Sequence, residues 1–247
     1  MKPGDFTTLA DAYAKNRPGY SRDVLTALRA FVPTGAVIAD VGAGTGIWTR
    51  MLAELEPRTL YAIEPNDAMR AKGAEAGGAI WRQGEALRTG LDPASVDLLT
   101  MASSFHWAKP AEAALAEFKR VLKPGGVFVA LWNPRLTERS AIETAIDEAL
   151  RDRFGIGPRI SSGRGGITLR LPDLLREHFA RFLYVEAEDE VSVPRQRYIG
   201  AWESVNDVRT QLGEAKFREF MSFVADVTAK VDAVPVTYLT RAWIART

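Results

Sequence analysis

The 247-residue chain has no cysteine. Disulfides, iron–sulfur clusters, thiolate metal sites and a cysteine nucleophile are therefore excluded. Histidine is nearly as scarce: His106 and His178 are the only two, too few for a histidine-rich metal site. Charge of one sign is missing as well, since 32 Lys and Arg balance 31 Asp and Glu to a formal net charge of +1. A protein that binds nucleic acid by neutralising phosphates is expected to be far more lopsided. No stretch approaches the roughly 18 consecutive apolar residues that span a bilayer. Met1 to Asp11 lacks the apolar run of a secretory signal. A cytoplasmic location follows as the expectation, with neither membrane nor nucleic acid as partner. What is present is a globular composition, 47% hydrophobic and 26% charged. The length suits one α/β domain carrying a small cap.

Strand and helix patterns alternate through the first half. Pro18-Gly19 is a turn, and Ser21 is placed to cap a helix running to about Phe31. Ala36-Val37-Ile38-Ala39-Asp40-Val41 is an apolar, β-branched run that stops at glycines, the pattern of a buried strand. A helix is expected over Thr45–Leu55, a strand over Thr59–Ile63, a helix from Asp67 to about Ala76 and a weak strand over Ala79–Arg82. A strand over Ser95–Met101, a helix over Pro110–Leu122, a turn at Lys123-Pro124-Gly125-Gly126 and a strand over Val127–Trp132 complete this part. Such short alternation predicts a mostly parallel sheet with helices on both faces. After Asn133 the pattern loosens. It reads as an amphipathic helix over Thr137–Phe154, a glycine-rich loop from Gly155 to Gly166 and a short helix over Leu171–Phe179. A strand or bent strand pair within Phe182–Val193, a helix over Glu214–Val231 and a last strand over Val236–Ala245 follow.

The segment Asp40-Val41-Gly42-Ala43-Gly44-Thr45-Gly46 joins the first strand to the helix after it. Its glycines let the chain turn sharply and let a ligand approach without a Cβ in the way. The helix behind it offers amide N–H groups and the positive end of its dipole. Dinucleotide sites use G-x-G-x-x-G to seat a pyrophosphate. Here the third glycine falls at 46 and position 47 is Ile47, so the phosphate pattern is broken. G-x-G-x-G led by an acid is the form associated with S-adenosylmethionine, which has no phosphate but has an ammonium that Asp40 can hold directly or through water. Glu64, closing the second strand, can accept both hydroxyls of a ribose. That geometry serves NAD and S-adenosylmethionine alike, with Pro65 closing the turn. Met69 is a candidate for packing on an adenine face, or for the core. Gly84-Glu85-Ala86, after the third strand, is where an adenine amino group would meet backbone and a carboxylate.

These pieces together resemble the core of the class I S-adenosylmethionine-dependent methyltransferases, specifically the small-molecule type 11 group. The likeness rests on Asp40 to Gly46, Glu64-Pro65, Gly84-Glu85, Ser95-Val96-Asp97-Leu98, Ser103-Ser104-Phe105-His106-Trp107 and Arg120-Val121-Leu122-Lys123-Pro124-Gly125-Gly126. With Phe6, Tyr13 and Arg17-Pro18-Gly19-Tyr20 at the front, it covers about half the chain. The resemblance implies a Rossmann-like, doubly wound, seven-stranded α/β sheet with the last strand antiparallel. It implies a single domain: an N-terminal lid over residues 1–20, a cofactor core over 21–133, and a variable cap plus the C-terminal strands over 134–247. In that arrangement Tyr13 lies against the methionine portion of the cofactor and Arg17 pairs with its carboxylate. Gly42, Ala43, Gly44 and Ser103 line the same ligand, whose product is S-adenosylhomocysteine. One departure is that Gly84 stands where the family usually has Ala.

Ligands of open α/β sheets lie past the carboxyl ends of the strands. Ser103, Ser104, His106 and Trp107 are therefore expected to face the reacting methyl group. Methyl transfer needs alignment of the nucleophile, exclusion of water and sometimes removal of a proton. His106 is the candidate base, since its ordinary pKa is near neutrality; a structural role is the alternative. Trp107, Trp132, Tyr198 and Trp202 are candidates for an aromatic wall around a small-molecule acceptor, and Asn133 and Arg135 for orienting a polar one. Arg159, Arg164 and Arg170, in or beside the glycine-rich loop, would suit an acidic acceptor. His178, in the short helix, reads as surface or core. The expected assembly is a monomer or homodimer. An NAD(P)-dependent oxidoreductase is the competing enzyme class, but it requires a glycine at 47 and a catalytic Tyr/Lys site that the sequence does not show. A methyltransferase-fold regulator without catalysis is the non-enzymatic alternative.

Overall fold

In the computed structural model, which describes residues 19–156 and 165–247, β-branched and apolar runs form the strands of one sheet. Seven strands are present in the order β3-β2-β1-β4-β5-β7-β6: β1 Val37–Val41, β2 Thr59–Ile63, β3 Ile80–Arg82, β4 Val96–Ala102, β5 Leu122–Trp132, β6 Arg181–Pro194 and β7 Ala233–Arg246. The first five run parallel, and β7 pairs antiparallel with both β5 and β6. The expected Rossmann-like sheet with its last strand antiparallel is what forms.

Helices cover both faces because the central strands are apolar on both sides. Along β1, Val37, Ala39 and Val41 join one core while Ile38 joins the other. Along β5 the same alternation sends Phe128, Ala130 and Trp132 one way and Val127, Val129 and Leu131 the other. The first core is closed by α4 (Ala111–Val121), through Leu115 and Phe118, and by α6 (Ile167–His178), through Leu171 and Leu174. The second is closed by α1 (Arg22–Leu28) and α2 (Ile47–Leu52), through Val24, Leu28, Trp48 and Leu52. Between β2 and β3 lies α3 (Asp67–Ala74). Ser21 caps α1 by accepting from the Asp23 amide, as the sequence suggests.

A third apolar core lies in the second half. It joins α5 (Ala141–Glu148), the π turn after it (Ala149–Arg153), α7 (Arg195–Glu203) and α8 (Asn206–Val227) through Ile146, Leu150, Trp202, Phe217, Phe220 and Val224. These helices pack on Val193 of β6 and on Val234, Val236 and Tyr238 of β7. The position of this cap follows from strand length. β6 and β7 pair along their full 14 residues, but β5 pairs only with Arg241–Arg246 of β7, ending at Trp132. The other half of the hairpin extends past the carboxyl ends of the parallel strands and carries the cap to that end.

Several boundaries differ from the sequence reading. The expected helix over Thr137–Phe154 is a short 3-10 turn, then α5, then the π turn. Of the two alternatives for Phe182–Val193, a single strand forms, over Arg181–Pro194. Tyr198 and Trp202, for which no element was expected, lie on α7. The helix expected from Glu214 does start there, after Gly213 at φ 70° breaks it from a helical stretch that begins at Asn206, and it ends at Val227 rather than Val231; glycine tolerates that left-handed backbone. The Lys123–Gly126 turn is absorbed into β5 as a register shift between Val96 and Leu98. No helix among the described residues is long and apolar enough to cross a membrane.

Candidate active site

The turn between β1 and α2 is built around three left-handed glycines, Gly42 (φ 69°), Gly44 (φ 58°) and Gly46 (φ 79°). Amides of Gly42 and Ala43 donate to the Ile63 carbonyl at 2.8 and 3.1 Å, which ties the turn to the end of β2. Gly42, Ala43 and Gly44 stay half-buried, so one side of the turn remains accessible. A Cβ on Gly44 would meet only the Met69 methyl, at 3.7 Å. Met69 is buried on α3 against this turn.

Glu64 stands at the end of β2. Its Oε2 accepts from the Gly44 amide at 2.8 Å and its Oε1 from the Asn66 amide at 2.9 Å. Burial pushes its carboxyl above the usual range, against these amide bonds. Each carboxylate oxygen has about two acceptor positions, so both oxygens retain capacity for a pair of ribose hydroxyls. Asp40 is a different case. It is fully buried, with Oδ2 accepting from Thr49 Oγ1 at 2.6 Å and Oδ1 from Thr100 Oγ1 at 3.1 Å. Desolvation raises its pKa to about 7. With both oxygens on core hydroxyls, Asp40 braces the turn from beneath.

Gly84 and Ala86 follow β3 as expected, and Glu85 is exposed, joined to Arg88 by paired backbone bonds. The glycine at 84 has a packing cause. A Cβ there would lie 2.7 Å from Ile63 Cγ2 and 2.9 Å from the Thr89 carbonyl oxygen. Pro65 is exposed beside Glu64. Sequence reasoning missed Trp81, whose ring edge would meet a Cβ on Gly46 at 3.0 Å and one on Gly73 at 2.1 Å. The indole thus walls the glycine turn, and the signal was a glycine inside helix α3. It also missed Thr49 and Thr100.

At the end of β4, Ser103 adopts φ 49°, a backbone that non-glycine residues rarely take. Its hydroxyl oxygen accepts from Tyr20 Oη at 2.9 Å. Ser104, expected at the acceptor, instead turns inward: it is buried and donates to the Val41 carbonyl at 3.1 Å. His106 and Trp107 lie in a 3-10 turn with ring centroids 4.7 Å apart. His106 is 5% exposed and Trp107 39%. Burial lowers the His106 pKa to about 4. The Trp132 indole N–H donates to His106 Nδ1 at 3.4 Å, bringing two of the expected residues together.

Tyr198 and Trp202 are not brought to this group. Both are buried in the cap core, with the Arg135 guanidinium 5.2 and 5.0 Å from their ring centroids. Arg135 pairs with Glu143 at 3.0 Å, and the Tyr198 hydroxyl donates to the same carboxylate oxygen. Asn133 is structural too: its Nδ2 donates to the Gly19 carbonyl at 2.9 Å and its Oδ1 accepts from Thr240 at 2.8 Å. Arg170 is exposed, 3.6 Å from Glu112. Tyr13, Arg17, Arg159 and Arg164 lie outside the described residues. No cluster of metal-ligating side chains is present among the described residues.

The accessible glycine turn, the carboxylate at the end of β2 and the strained serine at the end of β4 lie along one edge of the sheet and fit an S-adenosyl nucleoside with an amino-acid tail. Comparison with known proteins agrees. Residues 39–130 match the family described as a methyltransferase domain. An uncharacterised methyltransferase of Geobacillus sp. (strain WCH70) is 31% identical over 163 residues, 61% of this chain and 76% of its own length. The ubiquinone/menaquinone biosynthesis C-methyltransferase of Rubrivivax gelatinosus is 37% identical over 99 residues, 39% of either chain. Among solved structures, a protein assigned as a type II methyltransferase from Anaeromyxobacter dehalogenans superposes with a TM-score of 0.68 at 22% identity, covering 93% of this chain and 97% of that one.

Proposed function

The chain belongs to the class I S-adenosylmethionine-dependent methyltransferases of the type 11 group, and on that premise we propose that it methylates an oxygen or nitrogen of a small molecule held between the strand ends and the cap. The observation that carries this reading is the overhang of the β6–β7 hairpin, which brings a separate apolar core to the carboxyl end of the sheet. A cap in that place encloses an acceptor of limited size and excludes water from it.

S-adenosylmethionine, when bound, supplies a methyl group already activated by its sulfonium. The chain's own residues then have to position and desolvate. Glu64 holds the ribose, the backbone from Gly42 to Gly44 seats the amino-acid tail, and Met69 and Ala86 pack beside the adenine. Ser103, fixed by Tyr20, offers a hydroxyl at the end of β4. Trp107 presents an exposed aromatic face next to His106. Alignment of this kind can supply several kcal/mol of a displacement barrier, on the order of 7–11 in favourable cases.

Calorimetric titration with S-adenosylhomocysteine, followed by transfer of labelled methyl groups to a panel of small oxygen and nitrogen acceptors, tests the reading. Binding with turnover on at least one acceptor is expected. Binding with no transfer to any acceptor of the panel would remove the small-molecule reading and favour the non-catalytic regulator, and no binding at millimolar nucleoside would remove the cofactor assignment.

A further inference from the structure

His106 is held by a residue that can only donate. Its Nδ1 accepts from the Trp132 indole N–H at 3.4 Å, and an indole nitrogen has no acceptor capacity. Trp132 cannot readily swing away. It is 1% exposed, it closes the paired stretch of β5 opposite Arg241, and its ring meets that of Trp243 edge-on at 5.6 Å. Nδ1 must therefore be the unprotonated nitrogen, and the single proton of a neutral ring sits on Nε2. That atom is buried and has no hydrogen-bond partner among the described residues. The Trp107 ring, 39% exposed, has its centroid 4.7 Å from that of the His106 ring. The charged groups that act on the ring are Asp207, from the start of α8 in the cap, and Lys109, from the chain just after the 3-10 turn. They oppose one another, and burial outweighs both.

We propose that His106 is a fixed-tautomer hydrogen-bond donor rather than a proton acceptor, and that its Nε2–H meets an oxygen of the methyl acceptor, which is an ionised oxygen acid (a carboxylate or phenolate). This assignment rests on the methyltransferase reading and narrows its acceptor. An amine fits the donor poorly. Its lone pair must point at the methyl group, which leaves only N–H hydrogens to face another N–H. A neutral alcohol would have to lose a proton, and the ring nitrogen left to receive it already carries one. An oxyanion has neither problem. One lone pair forms the new O–CH3 bond while the S–CH3 bond breaks and its electron pair stays on sulfur, and no proton moves. A second lone pair accepts from Nε2–H throughout and keeps the oxygen aimed.

The small number of histidines makes the test direct. Long-range 1H–15N spectra of the full chain with S-adenosylhomocysteine, and of the His178→Gln variant to assign the signals, report the tautomer of His106. The expected spectrum is that of a neutral ring protonated on Nε2, unchanged from about pH 5.5 to about 8.5. Benzoate, used as the probe, is expected to shift the Nε2 resonance, and benzylamine to leave it in place. A proton on Nδ1, a titration midpoint inside that range, a response to benzylamine, or no response to benzoate would each overturn the proposal. As a second measurement, His106→Gln keeps an N–H donor and should bind benzoate within about tenfold of the parent, whereas His106→Leu should lose about tenfold or more. A Leu variant that binds benzoate as tightly as the parent would also overturn it. Loss of nucleoside binding in calorimetry is a separate result, which strikes the family reading and leaves the tautomer to stand or fall on the spectra.

Discussion

A Cβ added to Gly42 would lie 2.7 Å from the Cβ of Ser104 and 2.8 Å from its hydroxyl oxygen. The glycine at 42 is thus required twice, by a left-handed φ of 69° and by the inward-turned serine that bonds the Val41 carbonyl. Gly42→Ala should cost about 2–4 kcal/mol, from the left-handed backbone and from overpacking. Ser104→Gly should relieve only the second part. Thermal unfolding of the single and double variants checks this. A double variant no more stable than Gly42→Ala would show that contact with Ser104 is not part of the cost.

The buried Asp40 makes stability depend on pH. Its pKa is about 7 in the folded chain against an ordinary value of 3.8. Between those values the folded state holds a proton that the unfolded state has released, so this group's contribution falls as pH rises through that window and is level above it. Asp40→Asn removes the dependence. Its stability relative to the parent should improve by about 1.4 kcal/mol per pH unit between about pH 4 and about pH 7, and stay constant beyond. His106 acts in the opposite sense, losing stability as pH falls from 6.5 to about 4, so variant and parent must be compared at each pH. Denaturant unfolding at four or five pH values gives the answer, and a gap independent of pH would contradict it.

Glu64 accepts two backbone amides and keeps capacity for two hydroxyls. Glu64→Gln can satisfy only one of those amides with its carbonyl and turns an NH2 toward the other. Removing charge-assisted bonds of this type costs about 1.5–3 kcal/mol, which corresponds to about a tenfold to hundredfold weaker S-adenosylhomocysteine complex. Calorimetry on the variant measures it. A loss below about threefold would take the ribose role away from Glu64.

Arg135 and Glu143 form a pair buried between Tyr198, Trp202 and Tyr238. Glu143→Leu should destabilise the cap by about 3 kcal/mol, because it removes the carboxylate that balances the guanidinium. Arg135→Met together with Glu143→Leu should recover most of that loss. Hydrogen exchange of helices α5 and α7 reports the effect locally, and a double variant as unstable as the single one would mean that the charges are not what the pair contributes.

The cofactor half of this protein was legible in its sequence. An apolar run that stops at glycines marks β1, one that starts after Gly125-Gly126 marks β5, and the spacing of Gly42, Gly44 and Gly46 with Glu64 downstream marks the nucleoside site. Local chemistry decides these features, since a left-handed turn needs glycine wherever it occurs. Residues whose role depends on distant neighbours were misread or missed. The bracing role of Asp40 was missed, because its burial under Thr49 and Thr100 is a contact between separate elements. Ser104 was placed at the acceptor, but it turns inward to the carbonyl of Val41, on a separate strand, over the space that the glycine at 42 leaves. Trp81 carried no motif at all.

The sequence by itself determined that a doubly wound sheet would form and where its glycine turn would lie, because period and turn chemistry act over a few residues. Only the tertiary structure decided what closes the other side. The full 14-residue pairing of β6 with β7, set against the six-residue pairing of β7 with β5, carries Tyr198 and Trp202 into a core of their own. The same packing lays the Trp132 indole on His106. A hydrogen bond between residues 26 positions apart exists because adjacent parallel strands end side by side, and no spacing in the chain announces it.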